Sequence, residues 1–456
     1  MPGRPTRRHP LRLLVAVAAL AGALGLAPAT LPSAAAPGAP VAPVAPAAPA
    51  AALPPPFTGT VAEFYEVPDP LPPGERGEII RMQAVSAGAE RTGWRVMYHT
   101  VDEAGRDRAV TGVITLPNAA PPVGGWPVVA HAHGTTGINE RCAPSRGPSL
   151  PGWFGIEGVW VQTDYLGLGP VGELHPYLQR AAESNAVLDS VRAAHEIAGA
   201  ELSDDWFLVG GSQGGHAALA ANEDAATDLP EYRLLGTVAM VPGAEMTRTF
   251  DDRAQVQIIM AFAVFGNSQE RPDLDPADLL TPEAHAALVG PMTTQCANEG
   301  ILAALPFAAT GTLFRSDPEQ NPLFADYRER NEVGRRVGAS PVFVVGGVKD
   351  ITVVIARVRA LRASLCAIGQ PHTYVEVPEG THNTAGTIAG PEAIAWLQAR
   401  AAGEPLTSTP CGGEPTTTTS TTPTGATTTT AGTSTARTPG TAAPATPVRA
   451  RPAYTG

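Results

Sequence analysis

Apolar positions along this chain follow two alternating rhythms, short hydrophobic runs and longer stretches with helical spacing. Residues 94–100 and 108–115 read as an opening antiparallel strand pair, and further strands follow at 126–131 and 159–163. Residues 182–198 carry helical periodicity through Ala186, Leu188, Val191 and Ala194. A strand at 206–209 runs straight into a small-residue helix. Then come strands at 234–241 and 341–345, a helix at 351–368, a strand at 372–377 and a closing helix at 391–401. No internal repeat interrupts the series. This alternation predicts an α/β fold with a mostly parallel central sheet and helices on both faces.

The interval from about 246 to 337 breaks the rhythm. It holds helical pieces at 253–265, 276–288 and 293–305 with no clear strand between them. So long a span between two sheet strands predicts an inserted helical cap over the C-terminal edge of the sheet. The apolar runs 260–265 and 305–307 are candidates to line an acyl pocket, although packing of the cap's own core is the simpler account for most of those side chains.

The two ends differ in composition from the middle. Arg4, Arg7, Arg8 and Arg12 precede an apolar run and then small residues, which predicts a secretory signal peptide over 1–29. The run is short for a membrane span. Residues 30–56 are an Ala/Pro-rich linker of extended, polyproline-like character, and residues 412–456 form a Thr/Pro/Ala-rich tail expected to be disordered. The folded domain is thus expected at 57–411. A formal net charge of -12 with no basic patch argues against a nucleic-acid partner. Cys142, Cys296, Cys366 and Cys411 suggest two disulfides in an exported chain. Three pairings are open; Cys142–Cys296 with Cys366–Cys411 is favoured, the second pinning the end of the fold.

The candidate chemistry centres on the strand and helix either side of residue 212. Gly210-Gly211-Ser212-Gln213-Gly214 matches the G-x-S-x-G nucleophile elbow. With 48 glycines in the chain the pattern alone is weak; the strand before it and the helix after it give it weight. Such a turn lifts the Ser212 hydroxyl to the top of the sheet at a helix N-terminus, where backbone N–H groups can receive developing negative charge. A serine hydroxyl needs a base, and the base an orienting acid, in the chain order Ser, Asp or Glu, His. Asp350 follows the 341–345 strand, where it would also suit the N-cap of the next helix. His382 lies in a glycine-containing loop after the last strand. Other histidines fit less well: His372 opens a strand, His216 lies on the helix behind the elbow, and His175 precedes the required sheet position. The expected oxyanion hole combines the N–H of Gln213 with a donor from Thr135 or Thr136, in the loop after the 126–131 strand. His131 and His133 lack a third ligand at metal spacing, and neither metal nor cofactor is expected.

On these residues the chain resembles the secretory lipase family, the lipase-A-like branch of the α/β-hydrolases. The matching segments are residues 128–145 with Cys142-Ala143-Pro144-Ser145, then Asp164-Tyr165-Leu166-Gly167-Leu168-Gly169 and Leu188-Asp189-Ser190-Val191-Arg192. Gly211-Ser212-Gln213-Gly214-Gly215, Asp350 and Gly380-Thr381-His382 complete the set, which covers most of residues 60–402. The resemblance implies an α/β-hydrolase domain at 57–411, a Ser/Asp/His triad, two disulfides, a helical cap inserted before the acid, and hydrolysis of carboxylic esters including lipids. Threonines stand where fungal members of the family carry an acidic residue in the second oxyanion position. The resulting expectation is a secreted, monomeric serine ester hydrolase. Its substrate would be a small-molecule or lipid ester, with peripheral contact at a lipid interface and a tail lodged in the cell envelope. Two alternatives stand beside it. One is acyl transfer to an envelope glycan or alcohol through the same acyl-enzyme; the other is a non-catalytic, envelope-anchored binding module.

Overall fold

The computed structural model describes residues 53–147, 155–250, 253–318, 320–412 and 416–417; the expected signal peptide, most of the linker and most of the tail lie outside them. The strands are β1 (Ile79–Val85), β2 (Arg91–Val101), β3 (Asp107–Pro117), β4 (Trp126–Ala132), β5 (Val159–Thr163), β6 (Leu202–Gly211), β7 (Arg233–Met240), β8 (Val342–Gly347), β9 (His372–Val377) and β10 (Thr416–Thr417). The helices are α1 (Val61–Phe64), α2 (Arg180–Ala198), α3 (Gln213–Asp228), α4 (Arg253–Asn267), α5 (Pro276–Leu279), α6 (Pro282–Thr294), α7 (Ala297–Thr310), α8 (Pro322–Arg330), α9 (Ile355–Ile368) and α10 (Ala385–Ala401).

All strands join one sheet in the order β1-β2-β3-β5-β4-β6-β7-β8-β9-β10. The first three strands and the β3–β5 junction are antiparallel; from β5 onward every pairing is parallel. The pleat explains why the central strands are apolar throughout rather than alternating. On β4, Val128, Ala130 and Ala132 pack on α2 and α3, while Val129 faces the opposite side with Phe207, Val238 and the α10 residues Ala389 and Ala393. Farther along, Ala239, Val344 and Tyr374 pack against Val358 and Leu361 of α9. Helices thus cover both faces.

Between β7 and β8 the chain runs through α4 to α8 and builds a separate core. Met260, Phe262, Phe265, Leu288, Met292, Phe314, Phe324 and Tyr327 form it, joined by Ile138, Tyr177 and Leu178 from loops of the sheet domain. The 260–265 run is therefore buried in this core, whereas Leu305 is exposed and Phe307 half-buried.

Several boundaries differ from those expected. The 276–288 helix is two pieces, α5 and α6, and the 293–305 helix begins only at Ala297, after Cys296. The helix expected from 351 begins at Ile355, because residues 351–354 form a turn. The closing helix starts six residues before Pro391 and carries that proline inside it. β1 has no counterpart among the expected strands. Both favoured disulfides are present, with Cα–Cα separations of 5.5 Å for Cys142–Cys296 and 5.7 Å for Cys366–Cys411.

The Cys142–Cys296 bridge closes a loop of sequence separation 154, against 45 for Cys366–Cys411. Replacing Cys142 and Cys296 together by serine should cost about 2–5 kcal/mol of unfolding free energy, more than the matching change at Cys366 and Cys411. Denaturant unfolding of the two double variants checks the size and the order.

Candidate active site

The elbow is a meeting of backbones. Ser212 has φ 57°, in the left-handed region, between the end of β6 and the first turn of α3. A Cβ on Gly210 would lie 2.0 Å from the Gly214 carbonyl oxygen, and one on Gly214 would lie 1.9 Å from that of Ala132. No other residue type fits at either position, which gives the spacing of the G-x-S-x-G pattern its physical cause. The Ser212 N–H donates to the Met240 carbonyl at 2.9 Å, and the Ser212 carbonyl accepts from the N–H groups of Gly243 and His216 at 3.0 and 3.1 Å. The strained residue is thereby held from both flanking chain segments.

His382 Nε2 lies 2.9 Å from Ser212 Oγ, and His382 Nδ1 lies 2.8 Å from Asp350 Oδ2. The serine donates to the ring, and the ring donates to the carboxylate. Asp350 is buried, and its other oxygen accepts from the N–H groups of Thr352 and Val353 at 2.7 and 2.9 Å. It caps the turn ahead of α9 rather than the helix itself. The loops bearing acid and imidazole are stitched together: Val348 N–H donates to Val377 O and Lys349 N–H to Gly380 O, at 3.0 and 2.9 Å, while the Lys349 and Glu379 side chains pair. The structure thus brings Ser212, Asp350 and His382, distant in sequence, into one hydrogen-bonded chain.

The loop after β4 crosses directly over the elbow. The Cβ position of Gly134 is 3.9 Å from Ser212 Cβ and 3.5 Å from the Gly211 carbonyl oxygen. Among the described residues the N–H of Gln213, the first of α3, has no acceptor, as expected for the opening turn of a helix. Thr135 turns its hydroxyl to that of Tyr177, 2.7 Å away. Thr136 accepts at its carbonyl from Ala297 N–H at 2.8 Å, and its hydroxyl is buried without a partner. Tyr165, at φ 69°, donates its hydroxyl to the His133 carbonyl at 2.9 Å, so the Asp-Tyr-x-Gly-Leu-Gly segment anchors this loop. His131 Nδ1 lies 2.7 Å from Gln162 Oε1, and His133 Nδ1 lies 2.6 Å from the Gly134 carbonyl. Among the described residues no group of three or more His, Cys, Asp or Glu side chains could hold a metal ion.

Behind the elbow lies a buried polar cluster whose acid, Glu183, the sequence did not single out. Glu183 of α2, fully buried, accepts from Gln213 Nε2 at 2.8 Å and faces His216 Nδ1 at 2.5 Å. His175 Nε2 is 2.7 Å from Gln213 Nε2. Burial alone would lower the His216 pKa, but the charge and hydrogen bond of Glu183 outweigh it and hold the imidazole above its ordinary range. His175 and His216 do not serve Ser212 as base; they pack beneath it.

A parallel sheet with this elbow, cap and serine–histidine–aspartate chain defines an α/β-hydrolase. The chain belongs to the secretory lipase family, whose sequence model matches residues 156–409. That membership places it among the lipase and esterase hydrolases. The fold is similar to that of Candida antarctica lipase A in its closed state, with TM-score 0.63 and 17% identity over 80% of this chain and 90% of that one. It is also similar to the rice cell wall degrading esterase LipA from Xanthomonas oryzae, with TM-score 0.58 and 20% identity over 72% of this chain and 98% of that one. In sequence it is 24% identical, over 69% of this chain and 75% of the relative, to a protein of Mycobacterium tuberculosis (strain CDC 1551 / Oshkosh) named a "probable inactive lipase".

Burial pushes the pKa values of His131 and His175 down from 6.5 to about 4. Between about pH 6.5 and 4 the unfolded chain therefore binds protons that the folded chain does not, and stability falls as the pH drops through that window. The thermal midpoint should decline across it, with proton uptake on unfolding. Proton uptake on unfolding at about pH 5 that is no smaller in His131→Asn and His175→Asn than in the parent would contradict the burial of these two rings as neutral groups.

Proposed function

We propose that this protein is an exported serine ester hydrolase that cleaves acyl esters through an acyl-enzyme on Ser212. The observation that carries the reading is the unbroken chain from Ser212 Oγ through His382 to Asp350, with contacts of 2.9 and 2.8 Å. His382 takes the serine proton as Oγ attacks the ester carbonyl, and the buried Asp350 holds the ring with Nε2 toward the serine. The carbonyl oxygen becomes an oxyanion, received by the Gln213 N–H and by a donor from the Thr135/Thr136 turn. His382 returns its proton to the leaving alkoxide, which departs as the alcohol. Water then attacks the acyl-enzyme and gives a proton to His382; the acyl–Oγ bond breaks, His382 returns the proton to Ser212 Oγ, and the acid leaves and ionises to the carboxylate. Two disulfides fit an oxidising compartment, as does the family's description as secretory.

The relative named inactive makes a vestigial site the competing reading. Against it stands the His382 ring held between Ser212 Oγ and the buried Asp350 at 2.9 and 2.8 Å, an alignment that the turn-capping role of Asp350 does not require. Ser212→Ala should lower kcat on a p-nitrophenyl ester by about 10^4-fold or more, and a fluorophosphonate should label the parent at Ser212 alone. Near-parental turnover in the variant would overturn the assignment.

A lipid substrate is favoured by the outer face of α6 and α7. Val289, Ile301, Leu302 and Leu305 are exposed there, Leu302 at 67%, and Glu299 is the sole carboxylate of α7. Such a face suits contact with an aggregated lipid rather than with water. Leu302→Asp with Leu305→Asp should reduce hydrolysis of an emulsified long-chain ester about tenfold. Turnover of a soluble short-chain ester should stay within about twofold, and an equal loss on both substrates would remove the interfacial role.

A further inference from the structure

We infer that Glu183 is a positioning residue of the reaction: from beneath the elbow it fixes the oxyanion-binding N–H of Gln213 through that residue's own side chain. The inference rests on the proposed hydrolysis at Ser212 and deepens it.

The argument begins with donors and acceptors. The Leu166 carbonyl can only accept, so the His175 nitrogen 2.7 Å from it, Nδ1, carries the hydrogen. His175 Nε2 then has the lone pair and accepts from the Gln213 amide at 2.7 Å. The second amide hydrogen of Gln213 goes to Glu183 Oε1 at 2.8 Å. On the other side, His216 Nε2 faces the Asn331 carbonyl at 2.7 Å and Nδ1 faces Glu183 Oε2 at 2.5 Å. Both ring nitrogens meet acceptors, so the ring is an imidazolium and Glu183 is its counter-ion. One carboxylate, enclosed by α2, α3 and the loop bearing His175, thereby binds the first and fourth residues of α3.

What this arrangement does follows from its place. Gln213 is nearly fully buried, and its amide oxygen has no partner. An apolar side chain of similar size would avoid that orphaned acceptor, so the glutamine is held for its two donors. Those donors immobilise the side chain, and through the shared Cα they immobilise the peptide N–H that faces the reacting carbonyl. The neighbouring Ser212 stands at a strained φ of 57°, a conformation that persists only where the surroundings over-determine it. Bonds to Met240 and Gly243 constrain the Ser212 backbone from the end of β7 and the loop after it, and the His216 N–H constrains it from its own helix. Glu183 supplies the constraint from below. An oxyanion donor displaced by a fraction of an ångström contributes little in the ground state and loses much in the transition state.

The test uses the full-length protein, with competent sites counted by the end point of fluorophosphonate labelling so that rates refer to folded enzyme alone. Glu183→Gln keeps the shape and removes the charge. Gln213→Leu keeps the Glu183–His216 pair and removes both amide donors. Each should lower kcat on a soluble ester by about 10- to 100-fold with KM within about twofold. Each should also weaken inhibition by a trifluoromethyl ketone, which forms a tetrahedral adduct, by the same factor. The acid limb of the pH profile should not move, because His382 and Asp350 are untouched. If Glu183→Gln does not fold, Gln213→Leu decides alone. Turnover per site and ketone affinity within twofold of the parent would overturn the positioning role, even where Tm falls. A parent that shows no ester turnover, or an Ser212→Ala variant that retains it, would instead overturn the underlying reading and this inference with it.

Discussion

The carbonyl oxygen of Ala132, at the tip of β4, lies where residue 214 would carry a Cβ, and this contact of backbone on backbone governs the geometry of the site. Because α3 can approach β4 so closely, its first turn begins directly behind the strand tips and its unpaired N–H groups open onto the C-terminal edge of the sheet. The same approach brings the loop after β4 over Ser212, with Gly134 in van der Waals contact with the elbow. One steric fact, the absence of a Cβ at 214, thus sets Ser212, the Gln213 N–H and the loop after β4 in register. The strain at Ser212 is its counterpart: the chain must turn within one residue because strand and helix stand so near each other.

The acid and base reach this point by a different device. Asp350 and His382 lie on loops after two neighbouring parallel strands, β8 and β9, whose pairing continues past the strands into the bonds Val348 N–H to Val377 O and Lys349 N–H to Gly380 O. The sheet register therefore extends to the loops, and the separation between carboxylate and imidazole is fixed by backbone rather than by side-chain preference. Asp350 serves two demands at once, since its second oxygen caps the turn that starts the following segment. Mutual satisfaction of this sort leaves neither oxygen of the buried carboxylate without a partner.

Much of this was legible in the sequence because local chemistry and tertiary need coincide in it. The glycines of the elbow, the acid after one strand and the histidine after the next are all placed by the sheet, and strand signals in a doubly covered sheet are strong. Helix starts were less legible. Pro391 suits a first turn, so it read as the start of the closing helix, yet Ala385 N–H already bonds to Thr381 O and the helix is under way before the proline arrives. β1 was missed although Arg81 and Gln83 alternate with Ile80, Met82 and Ala84 in the period of a strand. Glu183 was illegible for a deeper reason. An acid in the first turn of a helix reads as a solvated partner of the helix dipole. Here α2 is covered by α3 on one side and by the sheet on the other, so its polar positions do not mark an outside, and Glu183 and Asp189 are both buried.

The helical insertion is bound to the same machinery at several points, which limits how it can respond to a substrate. Cys296 is linked to Cys142, and the next residue, Ala297, donates to Thr136 in the loop after β4. Tyr327 of α8 donates its hydroxyl to the carbonyl of Tyr177, the residue whose own hydroxyl meets Thr135. Asn331, just beyond α8, accepts from the charged His216 at its carbonyl and from the N–H of Arg180 at its side chain. A displacement of α7 or α8 by one helical turn would break these bonds together, including one to a buried cation, and each loss would fall on a group that water cannot readily re-solvate. The N-terminus of α7, the end of α8 and the loop after β4 are therefore tied together by covalent and hydrogen bonds. A displacement of α7 or α8 would therefore be felt at Thr135, Thr136 and His216, the residues their bonds reach.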